Sequence, residues 1–266
     1  KGNFVNSLIQ ERLAQFDAQT KQDQSFALRQ TIQEIALGAL ARSGFFKEAA
    51  FQGGTCLRIM HHLQRFSEDL DFVLMKTNDA FTWKSRLASV QEEFEFYGFS
   101  VSVTDRSKAD AVIKTAFIKE DSLGIQLEAV PRQRTRSEPS IKVKLEVDTH
   151  PPAGSAYQVH YLDFPLPAEI ITQDLPSLFS SKCHALLCRP YVKGRDWYDW
   201  LWYVARKTPL NMVLLQSAFD QAGPWKDQGI NATMDWFVDA LAKKIDQLDW
   251  SAAAQDVARF LHAKEA

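Results

Sequence analysis

Asp69 and Asp71 stand two residues apart in an apolar run, behind a paired-glycine turn, in the stretch "FQGGTCLRIMHHLQRFSEDLDF" from Phe51 to Phe72. On a strand, a period of two sends both carboxylates to one face while Leu70 and Phe72 take the other. Two carboxylates a few ångströms apart raise one another's pKa or hold a hard cation, and Mg²⁺ favours one or two carboxylates completed by water and phosphate oxygens. Gly53, Gly54 and Thr55 close a predicted strand and open a helix. Free backbone N–H groups and the helix dipole there favour an anion such as a triphosphate, and Thr55 adds a hydroxyl. Arg58 and Arg65, between the turn and the carboxylates, are placed to brace a carboxylate or a phosphate.

Further along, "IKVKLEVD" alternates Ile141, Val143, Leu145 and Val147 with Lys142, Lys144, Glu146 and Asp148. This predicts a neighbouring strand that supplies a third carboxylate, Glu146, with Asp148 as its rival. Three acidic groups behind a phosphate-binding turn suit metal-assisted phosphoryl or nucleotidyl transfer. A helix from about Leu178 would then place Lys182, Ala185 and Arg189 on one face, so a cation is available to phosphate. Its removal should leave folding nearly untouched. After "KG", Asp196, Asp199 and Tyr203 fall at i, i+3 and i+7, a polar helix face opposite an apolar stripe.

These residues require a scaffold, and the hydrophobic pattern outlines it. Helical spacing marks two N-terminal helices, a short strand at "EAAFQGG", a helix from Thr55 to Leu63, a strand from Asp69 to Leu74 and a helix from Trp83 to Tyr97. "FSVSVT", "AVIKTAFI", "GIQLEAV" and "IKVKLEVDT" follow as strands. From about Asp163, prolines separate helical segments and no convincing strand is expected. The fold class is α+β: a mixed β-sheet with flanking helices, followed by a helical C-terminal half. Residues 1–160 would form the α/β domain with its N-terminal helices, and 161–266 a helical domain, with "THPPAGSAY" as the linker.

Composition narrows the class. The 266 residues carry a formal net charge of -2, which gives no general attraction to nucleic acid or anionic membrane, so any such affinity must be local. Three cysteines without CxxC spacing argue against a disulfide framework or zinc site and for a reducing compartment. No apolar stretch is long enough to cross a bilayer, and the start lacks a signal-peptide centre, so a cytoplasmic location is expected and no membrane partner. His61 and His62 lack the i, i+4 partner of a metal motif and are expected to pack.

A glycine-pair turn, a helix, DxD on a strand and a later strand carboxylate resemble the minimal nucleotidyltransferase superfamily. The fuller string "GGTCLRIMHHLQRFSEDLDF", with "SSKCHALLCRPYVKGRDWYDW" about 110 residues later, is similar to the AbiEii/AbiGii toxin family, which includes the mycobacterial MenT toxins. The similarity runs from about Gln24 to Tyr203. It implies a nucleotidyltransferase toxin of a bacterial toxin–antitoxin system that moves a nucleotide from an NTP to an acceptor, with the 3′ end of a tRNA expected, and a cognate antitoxin encoded alongside. It further implies that Gly54 and Thr55 hold nucleotide phosphates, Asp69 and Asp71 hold Mg²⁺ or Mn²⁺, Glu146 is the third carboxylate or base, and Lys182 contacts the triphosphate. Asp196, in "RDWYD", would complete the catalytic set, and Asp199 would support the helix.

Two rivals remain. Transfer to a protein or small molecule is also compatible with the superfamily, and a non-catalytic nucleotide-binding module would keep the fold. The latter would usually have lost a carboxylate or the lysine, and Asp69, Asp71, Glu146 and Lys182 are all present. "RQRTRSEPSIKVK", residues 132–144, concentrates Arg132, Arg134 and Arg136 ahead of the Glu146 strand and is the candidate RNA contact.

Overall fold

A computed structural model of the chain describes residues 2–105, 122–131 and 141–261. Seven strands form one mixed sheet: β1 (Ala49–Gln52), β2 (Leu70–Leu74), β3 (Phe99–Asp105), β4 (Ser122–Pro131), β5 (Ile141–Asp148), β6 (Tyr157–Leu162) and β7 (Ala168–Gln173). Their order across the sheet is β3-β4-β5-β2-β1-β7-β6. β2 pairs antiparallel with β1 and parallel with β5, which puts the short carboxylate strand near the centre. The mixed α/β expectation is met. The segment "AVIKTAFI" and the arginines Arg132, Arg134 and Arg136 lie outside the described residues.

Helices α1 (Gly2–Ala14), α2 (Lys21–Arg42), α3 (Gly53–His61) and α4 (Lys84–Phe96) belong to the first half. After the sheet come α5 (Leu175–Cys188), α6 (Gly194–Ala205), α7 (Met212–Gln221), α8 (Met234–Asp246) and α9 (Trp250–Ala258). β7 corrects the expectation that strands end near Asp163: "AEIITQ" lies between prolines, yet it pairs parallel with β1 and antiparallel with β6. The helical portion therefore begins at Leu175. Phe51 and Leu145 of the sheet and Leu178, Trp197, Leu215 and Phe237 of the later helices belong to one continuous buried cluster. Burying a core of this kind in common ties the two halves together.

α2 is the helix that most constrains the site. Thr20 and Asp23 close a capping box at its start, which satisfies otherwise orphaned N–H groups. From Thr31 to Leu40 every residue is buried, so its polar side chains must be paired internally. Glu34 receives Arg12 Nε at 2.8 Å. Gln33 Nε2 donates to the carbonyls of Ser67, at 3.2 Å, and Glu68, at 2.9 Å. A buried amide on α2 thereby fixes the chain immediately before Asp69.

Candidate active site

The glycine turn opens α3 as expected, and its glycines are required by what lies against them. Gly53 has φ +80°, and a Cβ there would stand 2.5 Å from Asp71 Oδ2. At Gly54 a Cβ would collide with the Arg65 guanidinium. The turn can approach both groups only because it carries no side chains. Thr55 is buried and its hydroxyl donates to the Asp69 carbonyl. The hydroxyl expected to be available to phosphate instead ties the turn helix to the carboxylate segment.

Asp69 lies just ahead of β2 and Asp71 within it. Burial and the neighbouring Asp71 push the Asp69 carboxyl up from 3.8 to about 6. On β5, Glu146 is the register partner of Asp71, so the two residues share one face across the parallel pair. Asp148 is the partner of Val73, two residues further along, and accepts from the His150 backbone N–H at 3.1 Å. Register therefore places Glu146, not Asp148, level with Asp71. Glu146 is itself 2.6 Å from Lys144 Nζ. Among the described residues no three His, Cys, Asp or Glu side chains converge as a metal cage. The donors on offer are the Asp69–Asp71 pair, whose hard oxygens and mutual repulsion, only partly offset by Lys144, fit a Mg²⁺ that takes its remaining ligands from water and phosphate.

Arg65, from the loop after α3, and the later helices build a chain of alternating charges. Arg65 Nε and Nη2 donate to the two oxygens of Asp199, each at 2.6 Å. Lys182 Nζ lies 2.9 Å from Asp199 Oδ2 and 2.7 Å from Asp196 Oδ1. Arg189 pairs with the other Asp196 oxygen. Burial would raise the Asp199 pKa, but Arg65 and Lys182 hold it below the ordinary carboxylate value. Burial lowers the Lys182 pKa, against the pull of Asp199.

This geometry redistributes several roles. Arg65 is 2% exposed, and of its two expected partners it takes the carboxylate, bracing Asp199 while also donating to the Phe66 carbonyl. Arg58 donates to Gln30 and to the carbonyls of Leu63 and Gln64 and stacks over Phe66, so it ties down the loop after α3 instead of reaching a ligand. Lys182, Asp196 and Arg189 are brought together as expected, but Lys182 is held between two carboxylates. Asp199 is fully buried at the hub of this chain. Gln33 and the Arg65–Asp199 pair gave no sequence signal, because each acts on a partner far away in the chain. His61 packs edge-on to His160, with ring centroids 4.8 Å apart, and burial pulls its pKa down to about 4. The three cysteines are buried free thiols.

The glycine turn thus lies between the carboxylate strand, where Gly53 abuts Asp71, and the buried charge chain, where Gly54 abuts Arg65. The family model for the AbiEii nucleotidyl transferase toxin of type IV toxin–antitoxin systems matches residues 35–266, and the chain belongs to that family. It is a nucleotidyltransferase. The match continues through α7, α8 and α9, past the Tyr203 limit expected from motifs. Among solved structures, MenT4, a nucleotidyltransferase toxin from Mycobacterium tuberculosis, is similar at 17% identity and a TM-score of 0.53, covering 97% of this chain and 95% of that one. A putative nucleotidyltransferase from H. pylori is similar at 17% identity and a TM-score of 0.45, covering 88% and 92%. A search of curated protein sequences finds no match. No helix among the described residues is long and apolar enough to cross a membrane.

Proposed function

We propose that the protein is a metal-dependent toxin that transfers a nucleotide from an NTP to the 3′ end of an RNA, a tRNA in particular, and that a cognate antitoxin restrains it. The observation that carries this reading is the close approach of the Gly53 turn to Asp71, beside an Asp69 whose charge is opposed by burial and by its neighbour. Backbone N–H groups of Gly53 and Gly54 would receive the triphosphate, and Asp69 and Asp71 would hold Mg²⁺ or Mn²⁺. When bound, such an ion neutralises phosphate charge and lowers the pKa of an attacking hydroxyl. The acceptor 3′ oxygen forms a bond to the α-phosphorus as the bond from that phosphorus to the bridging oxygen of pyrophosphate breaks. Glu146, level with Asp71, is placed to take the hydroxyl proton.

The test is incubation with each NTP labelled at the α-phosphate, magnesium, and total RNA and total protein from a bacterial extract. Label on RNA that disappears with Asp69→Asn supports the proposal. Label on protein or on a small molecule would redirect the acceptor, and no transfer at all would overturn catalysis.

A further inference from the structure

Lys182 is the lysine that the family resemblance assigns to phosphate, yet its amine is already shared by Asp196 and Asp199. A different lysine is uncommitted. Lys193 caps the start of α6, and among the described residues no hydrogen bond or ion pair joins its side chain to any other group. Lys193 lines a cavity of about 130 Å³ between the end of α5, the start of α6 and α8. That is well below the roughly 300 Å³ at which pockets for drug-sized ligands begin, so it suits a phosphate tail and not a whole nucleotide.

The charge in this cavity is out of balance. Its lining holds three cations, Arg189, Lys193 and Lys244, and one carboxylate, Asp196. Asp196 is taken by Lys182 and Arg189. Lys244 donates to the Arg189 carbonyl at 2.6 Å and has no acid paired with it among the described residues. Lys193 is half-buried, and burial together with Arg189, Lys182 and Arg195 lowers its pKa to about 7, while Asp71 draws it the other way. Holding a cation there is unfavourable in the empty protein, and an arriving anion would relieve it. The cavity shares Asp196 with the charge chain, which runs through Lys182 and Asp199 to Arg65, the side chain lying against Gly54 of the turn.

We propose that Lys193 is the residue that receives the terminal phosphates of the NTP, with the β- and γ-phosphates lying in the cavity between Arg189 and Lys193, and that Lys182 is a positioning residue for Asp196 and Asp199. This rests on the reading of the site as an NTP site. The anion is recognised by its charge and size, and the pyrophosphate released by transfer would leave along the same wall.

The test is calorimetric titration of the full chain with inorganic tripolyphosphate and magnesium, for wild type, Lys193→Gln and Lys193→Arg. Loss of one charge-assisted contact should weaken binding about tenfold or more in Lys193→Gln, and Lys193→Arg should stay within about threefold of wild type. Thermal unfolding of ligand-free Lys193→Gln should match wild type or move upward, since a cation opposed by other cations has been removed. Wild-type affinity in Lys193→Gln would overturn the assignment of Lys193 and leave the NTP reading standing. A lowered unfolding midpoint in that variant would make Lys193 a structural cap and overturn it as well. Failure of the wild-type protein to bind tripolyphosphate would overturn both.

Discussion

Arg65 and Asp199, 134 residues apart, meet through two parallel hydrogen bonds of 2.6 Å in a site closed to solvent. The arginine precedes the carboxylate strand and the aspartate lies on α6, so this pair locks the helical part of the chain onto the loop that carries Asp69. Removing one member of a buried pair leaves the other charged and unsatisfied, at a cost of about 3–5 kcal/mol. Arg65→Met should therefore lower unfolding free energy by about that amount in urea titrations. A loss below about 1 kcal/mol would mean that the pair behaves like an exposed one.

Lys182 is expected to matter for folding as well as turnover. Lys182→Met leaves Asp196 and Asp199 each with one arginine but brings two like charges together without the lysine between them. Stability should fall by about 1–3 kcal/mol, and turnover by about 100-fold as the site loses its geometry. Unchanged stability in urea, with turnover lost, would restore the simpler view of Lys182 as a free phosphate contact.

The raised pKa of Asp69 predicts a pH signature for the metal-free protein. Between 3.8 and about 6 the native state keeps a proton that the unfolded state has lost. Native stability therefore falls as pH rises through that window, and the loss is complete above it. Asp69→Asn removes the effect, so at pH 7.5 without metal it should be at least as stable as wild type while being inactive. Parallel stability curves for the two proteins from pH 4 to 8 would show that Asp69 is not strained.

Register separates Glu146 from Asp148. Glu146→Gln should reduce turnover by about 100-fold or more, the scale for a lost proton acceptor, whereas Asp148→Asn should stay within about threefold. The reverse order in steady-state rates would move the third carboxylate two residues along β5.

Gly53→Ala tests the close approach of the turn. It would place a Cβ against Asp71 and force a left-handed backbone on alanine, with a cost of about 1–3 kcal/mol. Turnover should fall through displacement of Asp71. A fully active, equally stable variant would show that the turn has room to spare.

The local parts of this site were legible in the sequence because their signals are local. Alternation in "IKVKLEVD" gave β5 and its polar face, and the paired glycines gave the start of α3. β7 was missed because "AEIITQ" sits among prolines and gains its strand character from pairing with β1 and β6. Of Arg58 and Arg65, expected to brace a carboxylate or a phosphate, Arg65 meets the carboxylate of Asp199, while Arg58 meets Gln30 and two backbone carbonyls. Whether a guanidinium meets a phosphate, a carbonyl or an aspartate depends on elements that return much later in the chain. For the same reason Lys193 escaped notice: nothing in "YVKGRD" says that this amine, unlike Lys182, makes no ion pair among the described residues.

The central claim is that the carboxylates beside the glycine turn drive nucleotide addition to an RNA 3′ end. Sequencing of tRNA 3′ ends, after incubation with wild type or Asp71→Asn, magnesium and each of the four NTPs separately, tests it most directly. Wild type with at least one NTP should leave non-templated nucleotides on tRNA 3′ ends, and Asp71→Asn should leave none. Unaltered 3′ ends with every NTP, or equal addition by Asp71→Asn, would contradict it.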